Sequence, residues 1–251
     1  MHRFVHLMLP IVLLIFSPPQ TAAIEPALFR TSAIATYYAY SGIDCEDVCA
    51  LLEASFQDIT SQFGLVFEGR IEVHVFACQQ DFWEAVFPGR PNNHRTTGFA
   101  DMDRRRIYLA SPSDTSVRPA SEIQKVPRHE LVHILLPHRD FLRREGIAVY
   151  LADQLNPVPE ALLPVVSEES IRVLFRGFET GDSEMVRAAY NLSGWRERFI
   201  YEECFGSRAL EFLRDFNSMA PGPDYETLGF DSADAFYAAF TEYLCLHVLE
   251  T

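Results

Sequence analysis

The stretch PRHELVHILLPHRDFLRREGIAVYLAD, residues 127–153, decides how the rest of the chain is read. Its apolar residues recur at helical spacing on both sides of Pro137, which predicts successive helices over residues 121–136 and 139–156. Residues four apart on a helix share a face about one turn apart, so His129 and His133 can offer imidazole nitrogens to a single ion. Glu130, one position along, lies beside that ion without having to ligate it. In this HExxH arrangement the histidines bind zinc and the glutamate takes a proton from water at the metal. The plainer alternative is two ordinary helices with some polar residues on show. Against it stands the setting: among Ile123, Val126, Leu131, Val132, Ile134, Leu135 and Leu136, an unpartnered His or Glu carries a desolvation cost of about a few kcal/mol.

Zinc needs a third protein ligand and an open fourth position when it is catalytic. In the pattern HExxHxxGxxH the glycine position here is Leu136 and the last histidine position is Arg139, so that arrangement fails twice. His138 follows Pro137 in a loop, where a histidine is ordinarily solvent-exposed. Glu145 is the stronger candidate, because it sits on the next helix and is followed by Gly146 and Ala148, which let two helices approach closely. Arg143 and Arg144 precede it and either hold its carboxylate by hydrogen bonds or stand in solvent.

HELVH followed by RREGIAVYLAD resembles the gluzincin zinc metallopeptidases, the compact peptidase MA-like proteins distantly similar to thermolysin and aminopeptidase N. The flanking stretches YYAYSGIDCEDVCALLEASFQDITSQFG, IEVHVFACQQDF, GFADMDRRRIYLAS and YEECFGSRALEFLRDF are each weakly similar to parts of that family. The resemblance implies a zincin-like fold, with His129, His133 and Glu145 as zinc ligands and Glu130 as the catalytic base. It also implies Tyr201 as a second catalytic group that stabilises an oxyanion, although Arg208 or Ala209 stands where the family carries Phe. Gly98, Phe99 and Ala100 would bind an extended peptide or protein substrate by strand addition, an ordinary edge strand being the alternative. No GxMEN-like signature precedes the metal motif, which leaves endopeptidase action favoured by absence. A different class of protein fits the same residues: a catalytically inactive, peptidase-like binding protein of the cell envelope.

The remaining sequence sets limits around this site. With 251 residues, 48% of them hydrophobic, the chain can bury a substantial core, as one domain or one domain of two lobes. A formal net charge of −14 argues against a nucleic-acid partner, since phosphate binding needs a Lys/Arg footprint. The opening MHRFVHLMLPIVLLIFSPPQTAA has a basic start, a short apolar run and small residues at Thr21 and Ala23, so residues 1–23 read as a cleaved signal peptide or, less simply, an uncleaved anchor. Cleavage would put residues 24–251 in a secreted or periplasmic setting with no stable membrane span.

Strands are expected early, over residues 33–40, 71–77 and a hairpin turning at 101–104, with helices over 45–63 and 80–87. Helical patterning runs from residue 161 onward. This order predicts an α+β fold in which a small mixed sheet with the active-site helix (residues 24–137) meets a C-terminal helical lobe (residues 138–251). Five cysteines leave at least one unpaired and do not reveal any connectivity. Asn191-Leu192-Ser193 is a glycosylation sequon.

Overall fold

A computed structural model describes residues 25–90, 92, 96–114, 119–220 and 222–249; the expected signal peptide lies outside the described residues. Its sheet grows from alternating sequence. In β2 (Ala35–Ala39), after the edge strand β1 (Ala27–Thr31), Ala35, Tyr37 and Ala39 point into the core while Thr36 and Tyr38 point away. The chain then crosses through α1 (Glu46–Phe63) to β3 (Ile71–Phe76), which pairs parallel to β2. Gly64, at φ 60, ends α1 in the left-handed conformation that glycine adopts without a Cβ penalty. After α2 (Gln79–Val86) come β4 (Gly98–Asp101) and β5 (Arg106–Ala110), an antiparallel hairpin whose β5 pairs parallel to β3. The strand order β1-β2-β3-β5-β4 leaves β4 as one edge. The fold is thus mixed α+β, as expected, with one strand, β1, that the sequence reading did not include.

The inner face of the sheet (Tyr37, Val73, Val75, Ile107, Leu109) shares one core with Val48, Leu52, Ile59 and Phe63 of α1 and with the helix that follows. That segment is broken: α3 (Ala120–Ile123) ends, and α4 (Val126–Leu135) starts with Pro127 in its first turn, where a missing N–H costs nothing. The outer face carries a row of rings in register across four strands: Tyr38, His74, Tyr108 and Phe99, neighbours stacked at 5.0, 5.0 and 6.2 Å. α2 caps one end of that face through Phe82 and Trp83 on Phe76 and Ala110.

Beyond α5 (Phe141–Leu151) the chain is helical, though more fragmented than its periodicity suggests. A 3-10 segment (Glu160–Val165), α6 (Glu168–Phe175), α7 (Gly177–Thr180) and α8 (Ser183–Phe199) precede a π-helical stretch over Ile200–Phe205, then α9 (Ala209–Phe216) and α10 (Ala233–Leu249). Two glycines bring α5 and α8 together: a Cβ on Gly146 would stand 2.5 Å from the Ser193 carbonyl oxygen, and one on Gly194 2.5 Å from Val149 Cγ1. Asn191 is buried and latches the segment after α5, accepting from Asn156 N at 2.8 Å and donating to Asn156 O at 2.7 Å, so the sequon is a structural clamp. All five cysteines are free thiols; burial pushes Cys45 up to about 11 and Cys49 up to about 12. No helix of the described residues is long and apolar enough to cross a membrane.

Candidate metal centre

α4 presents His129 and His133 one turn apart, their rings 4.8 Å between centroids and at 88° to each other. α5 supplies the third group. Asp140 caps that helix by accepting from Arg143 N at 3.1 Å, which fixes where its first turn, and so Glu145, begins. Glu145 Oε2 lies 3.4 Å from His129 Nε2 and 3.5 Å from His133 Nε2. Zinc bonds of about 2.0–2.1 Å to nitrogen and oxygen put the corners of a tetrahedron about 3.3 Å apart, so these spacings match edges of one coordination shell. The three residues are 5–8% exposed, and their donor atoms all lie within 4.8 Å of one another.

The surroundings prepare the donors. Gln154 Oε1 sits 2.8 Å from His129 Nδ1, which places the proton there and leaves the Nε2 lone pair directed at Glu145. Arg144 Nε donates to Glu145 Oε1 at 3.2 Å, so the carboxylate is held by one oxygen and offers the other. His133 Nδ1 is buried with no hydrogen-bond partner. Burial opposes charge on every group, yet the Glu145 hydrogen bond and the Glu130 and Glu145 charges raise His129 above its ordinary value. Burial also raises Glu145, but His133 and the bonds to both imidazoles hold it well below the carboxylate range. A divalent ion held by these donors would compensate the carboxylate. The donor set therefore fits a metal.

Glu130 lies beside this triangle, 7% exposed. Burial raises its pKa, with His129 and His133 opposing. The edge strand abuts it: a Cβ on Gly98 would fall 2.6 Å from Glu130 Oε1 and 2.5 Å from Val126 Cγ1. Ala100 packs on the main core, whereas Phe99, 38% exposed, turns to the outer face against Phe87 and Tyr108. The strand is thus brought to the site, with Gly98 facing it and Phe99 facing away.

Other expectations fare differently. Tyr201 lies in the π-helical stretch, its ring packed on Phe63, Tyr150 and Phe212 and its hydroxyl accepting from Gln62 Nε2 at 3.1 Å; none of these partners belongs to the triad. The phenol beside the triad is Tyr190 of α8, 6.3 Å from the His129 ring. Burial, then the Glu145 and Glu130 charges, push it well above the usual tyrosine value. His138 is buried rather than exposed, and it packs on Phe216 outside the triad. Arg143 is fully buried, bonded to Asp215 rather than to Glu145, while Arg144 does hold Glu145.

Sequence reasoning missed Gln154 and Tyr190, which carry no spacing signal relative to HExxH. Compared with known proteins, the chain matches no family model and no curated sequence.

Proposed function

We propose that the protein is a zinc-dependent metallopeptidase of zincin-like, gluzincin type that hydrolyses peptide bonds outside the cytoplasm, as an endopeptidase. The observation that carries this reading is the buried triangle of His129, His133 and Glu145 with Glu130 beside it; three protein donors are the number a catalytic zinc site supplies, with its fourth position kept for water. Two imidazoles and one carboxylate suit zinc among the common divalent ions. Bound there, the cation would supply Lewis acidity, making water nucleophilic near neutral pH and polarising the scissile carbonyl.

The chain's own groups do the rest. Glu130, with its pKa raised by burial, takes the proton from the attacking water and returns it to the leaving amine. Gln154 keeps His129 in one tautomer, and Arg144 keeps Glu145 turned toward the imidazoles. We assign oxyanion stabilisation to Tyr190, whose phenol hydrogen-bonds to Glu145 at the triad, in preference to Tyr201, whose hydroxyl lies on Gln62 away from it. The β4 edge offers backbone groups to an extended peptide or protein substrate, and the absence of a side chain at Gly98 leaves room for Glu130. The extracytoplasmic setting rests on residues 1–23 alone.

Purified protein is expected to hold about one zinc per chain. Glu130→Gln should keep that metal and lower cleavage of a denatured protein mixture by about 10²–10⁴-fold. Wild-type protein that binds zinc and cleaves nothing would point instead to the envelope binding protein. Protein that binds no divalent ion would end both readings.

A further inference from the structure

Arg144 stands apart from the other cations near the site. Its neighbour Arg143 is fully buried and engaged with Asp215, whereas the Arg144 side chain is 22% exposed, at the rim of the triad. Two contacts fix it: Nε donates to Glu145 Oε1 at 3.2 Å, and the guanidinium carbon lies 5.0 Å over the Phe141 ring. Nη1 and Nη2 have no protein hydrogen-bond partner among the described residues. The Arg144 charge reaches the interior of the site, where it acts on both Glu130 and Tyr190. A planar fork, already oriented and with its outer donors open, is what binds a carboxylate in bidentate fashion. Such a cation contrasts with a chain of net charge −14, which repels acidic peptides in general.

We propose that Arg144 is a specificity determinant that selects substrates carrying a carboxylate next to the scissile bond. The inference rests on the peptidase reading of the site. On that reading the carboxylate is an acidic side chain beside the cleaved bond; a free C-terminal carboxylate offers the same chemistry, and selection of it would make the enzyme an exopeptidase instead.

The test uses the full mature chain and matched peptides: Asp or Glu against Asn or Gln beside the cleaved bond, and free acid against C-terminal amide. Neutralising the recognised carboxylate should lower kcat/KM by about 10–100-fold in wild type. The two peptide pairs tell which source is read. Arg144→Gln should erase the preference, Arg144→Lys should keep part of it, and Arg144→Glu should reverse it toward basic peptides. Because the readout is a ratio between two peptides on one protein, any loss of zinc from a loosened Glu145 cancels.

A second arm needs no turnover: Glu130→Gln protein, with and without added zinc, is titrated calorimetrically with the same peptides and should rank them in the same order. Equal handling of charged and neutral peptides by wild type would overturn the proposal. So would an equal fall for all peptides in Arg144→Gln, which would make the arginine a positioning residue for Glu145 alone. If wild type cleaves nothing, the peptidase reading fails, and the calorimetric ranking still decides what Arg144 binds.

Discussion

The two helices that meet at the metal triangle are held by different physics. α4 rests on the sheet through Val126, Leu131, Val132 and Leu135, an apolar contact in which the polar ligands are the exceptions. α5 shares that core through Leu142, Ile147, Ala148 and Leu151, and is anchored by charge in addition. Arg143 and Arg196 are both 0% exposed, and Glu197 lies between them, 3.5 Å from Arg143 Nε and 2.6 Å from Arg196 Nη1. Asp215 takes Arg143 Nη2 at 3.0 Å, and the Tyr237 hydroxyl accepts from Arg196 Nε at 3.0 Å. Phe216 and Phe236 cover the guanidinium carbons at 4.9 and 5.8 Å. Dispersion contacts degrade gradually when trimmed, whereas a buried charge that loses its partner keeps its whole desolvation cost. The α5 side should therefore be the brittle half of the site.

The largest effect tests that contrast. Glu197→Leu leaves two buried arginines without their shared carboxylate and should cost about 3–5 kcal/mol, read as a lower midpoint in urea unfolding. Ile134→Val on α4 should cost about 0.5–1.5 kcal/mol. Equal losses would break the comparison.

Next comes a hydrogen bond that joins the halves at a ligand, from His129 of α4 to Gln154 beyond α5. Gln154→Leu removes the group that sets the imidazole tautomer, and zinc affinity should fall by about 10–100-fold, measured by competition with a chromophoric chelator. Folding stability of the metal-free protein should change far less, which separates ligand orientation from packing.

The glycines sharpen the contrast further. A Cβ at Gly146 meets a backbone oxygen of α8, which cannot turn aside, so Gly146→Ala should separate α5 from α8 and cost about 1–3 kcal/mol of stability. At Gly98 the added Cβ meets Val126 Cγ1 at 2.5 Å and Glu130 Oε1 and Cγ at 2.6 and 2.9 Å, buried side-chain atoms rather than backbone. Gly98→Ala should therefore cost less stability than Gly146→Ala and lower turnover more, because the displaced group is the proposed base.

These differences also explain what the sequence could disclose. His129, Glu130 and His133 were legible because helical periodicity alone fixes their geometry, and Glu145 because a short connection bounds how far the next helix can stray. The position of helix ends was less so: a single helix over residues 121–136 breaks before Pro127, and the helix expected to reach residue 156 stops at Leu151, with Asp153 at φ 53. β1 was missed because ALFRT sits at an edge and lacks alternating burial. Arg143, Glu197 and Tyr190 were illegible for a stronger reason. A buried charge looks like a surface charge until its partner, 54 or 72 positions away in the cases of Glu197 and Asp215, is folded against it.

The smallest effect concerns one histidine in each half. His74 lies in the ring row on the outer sheet face, bounded by Tyr38 of β2 and Tyr40 just after it, Glu72 of its own strand, and Arg106 and Tyr108 of β5. Burial lowers its pKa, Glu72 opposing and Arg106 adding. His138 is lowered by burial and by Arg143, and its Nδ1 accepts from Asp140 N at 3.0 Å. For both, the folded pKa lies below the unfolded value of about 6.5, so the unfolded chain binds the proton more readily. Their contribution to stability is complete above that pH and is lost as pH falls through the lowered folded values. The consequences differ in kind. Protonating His74 sets a charge among ring faces with Glu72 close by, whereas protonating His138 at Nδ1 exchanges the bond from Asp140 N for one to Asp140 O, 3.3 Å away, and adds charge beside Arg143. His129 and Glu130 carry raised folded pKa values and gain stability over the same window, so the histidine contribution is read as a difference. In urea unfolding of the metal-free protein followed from pH 7.5 down to 5.0, His74→Phe, which keeps the stacked row intact, should lose slightly less stability than wild type; identical slopes in the two proteins would remove His74 from the acid response.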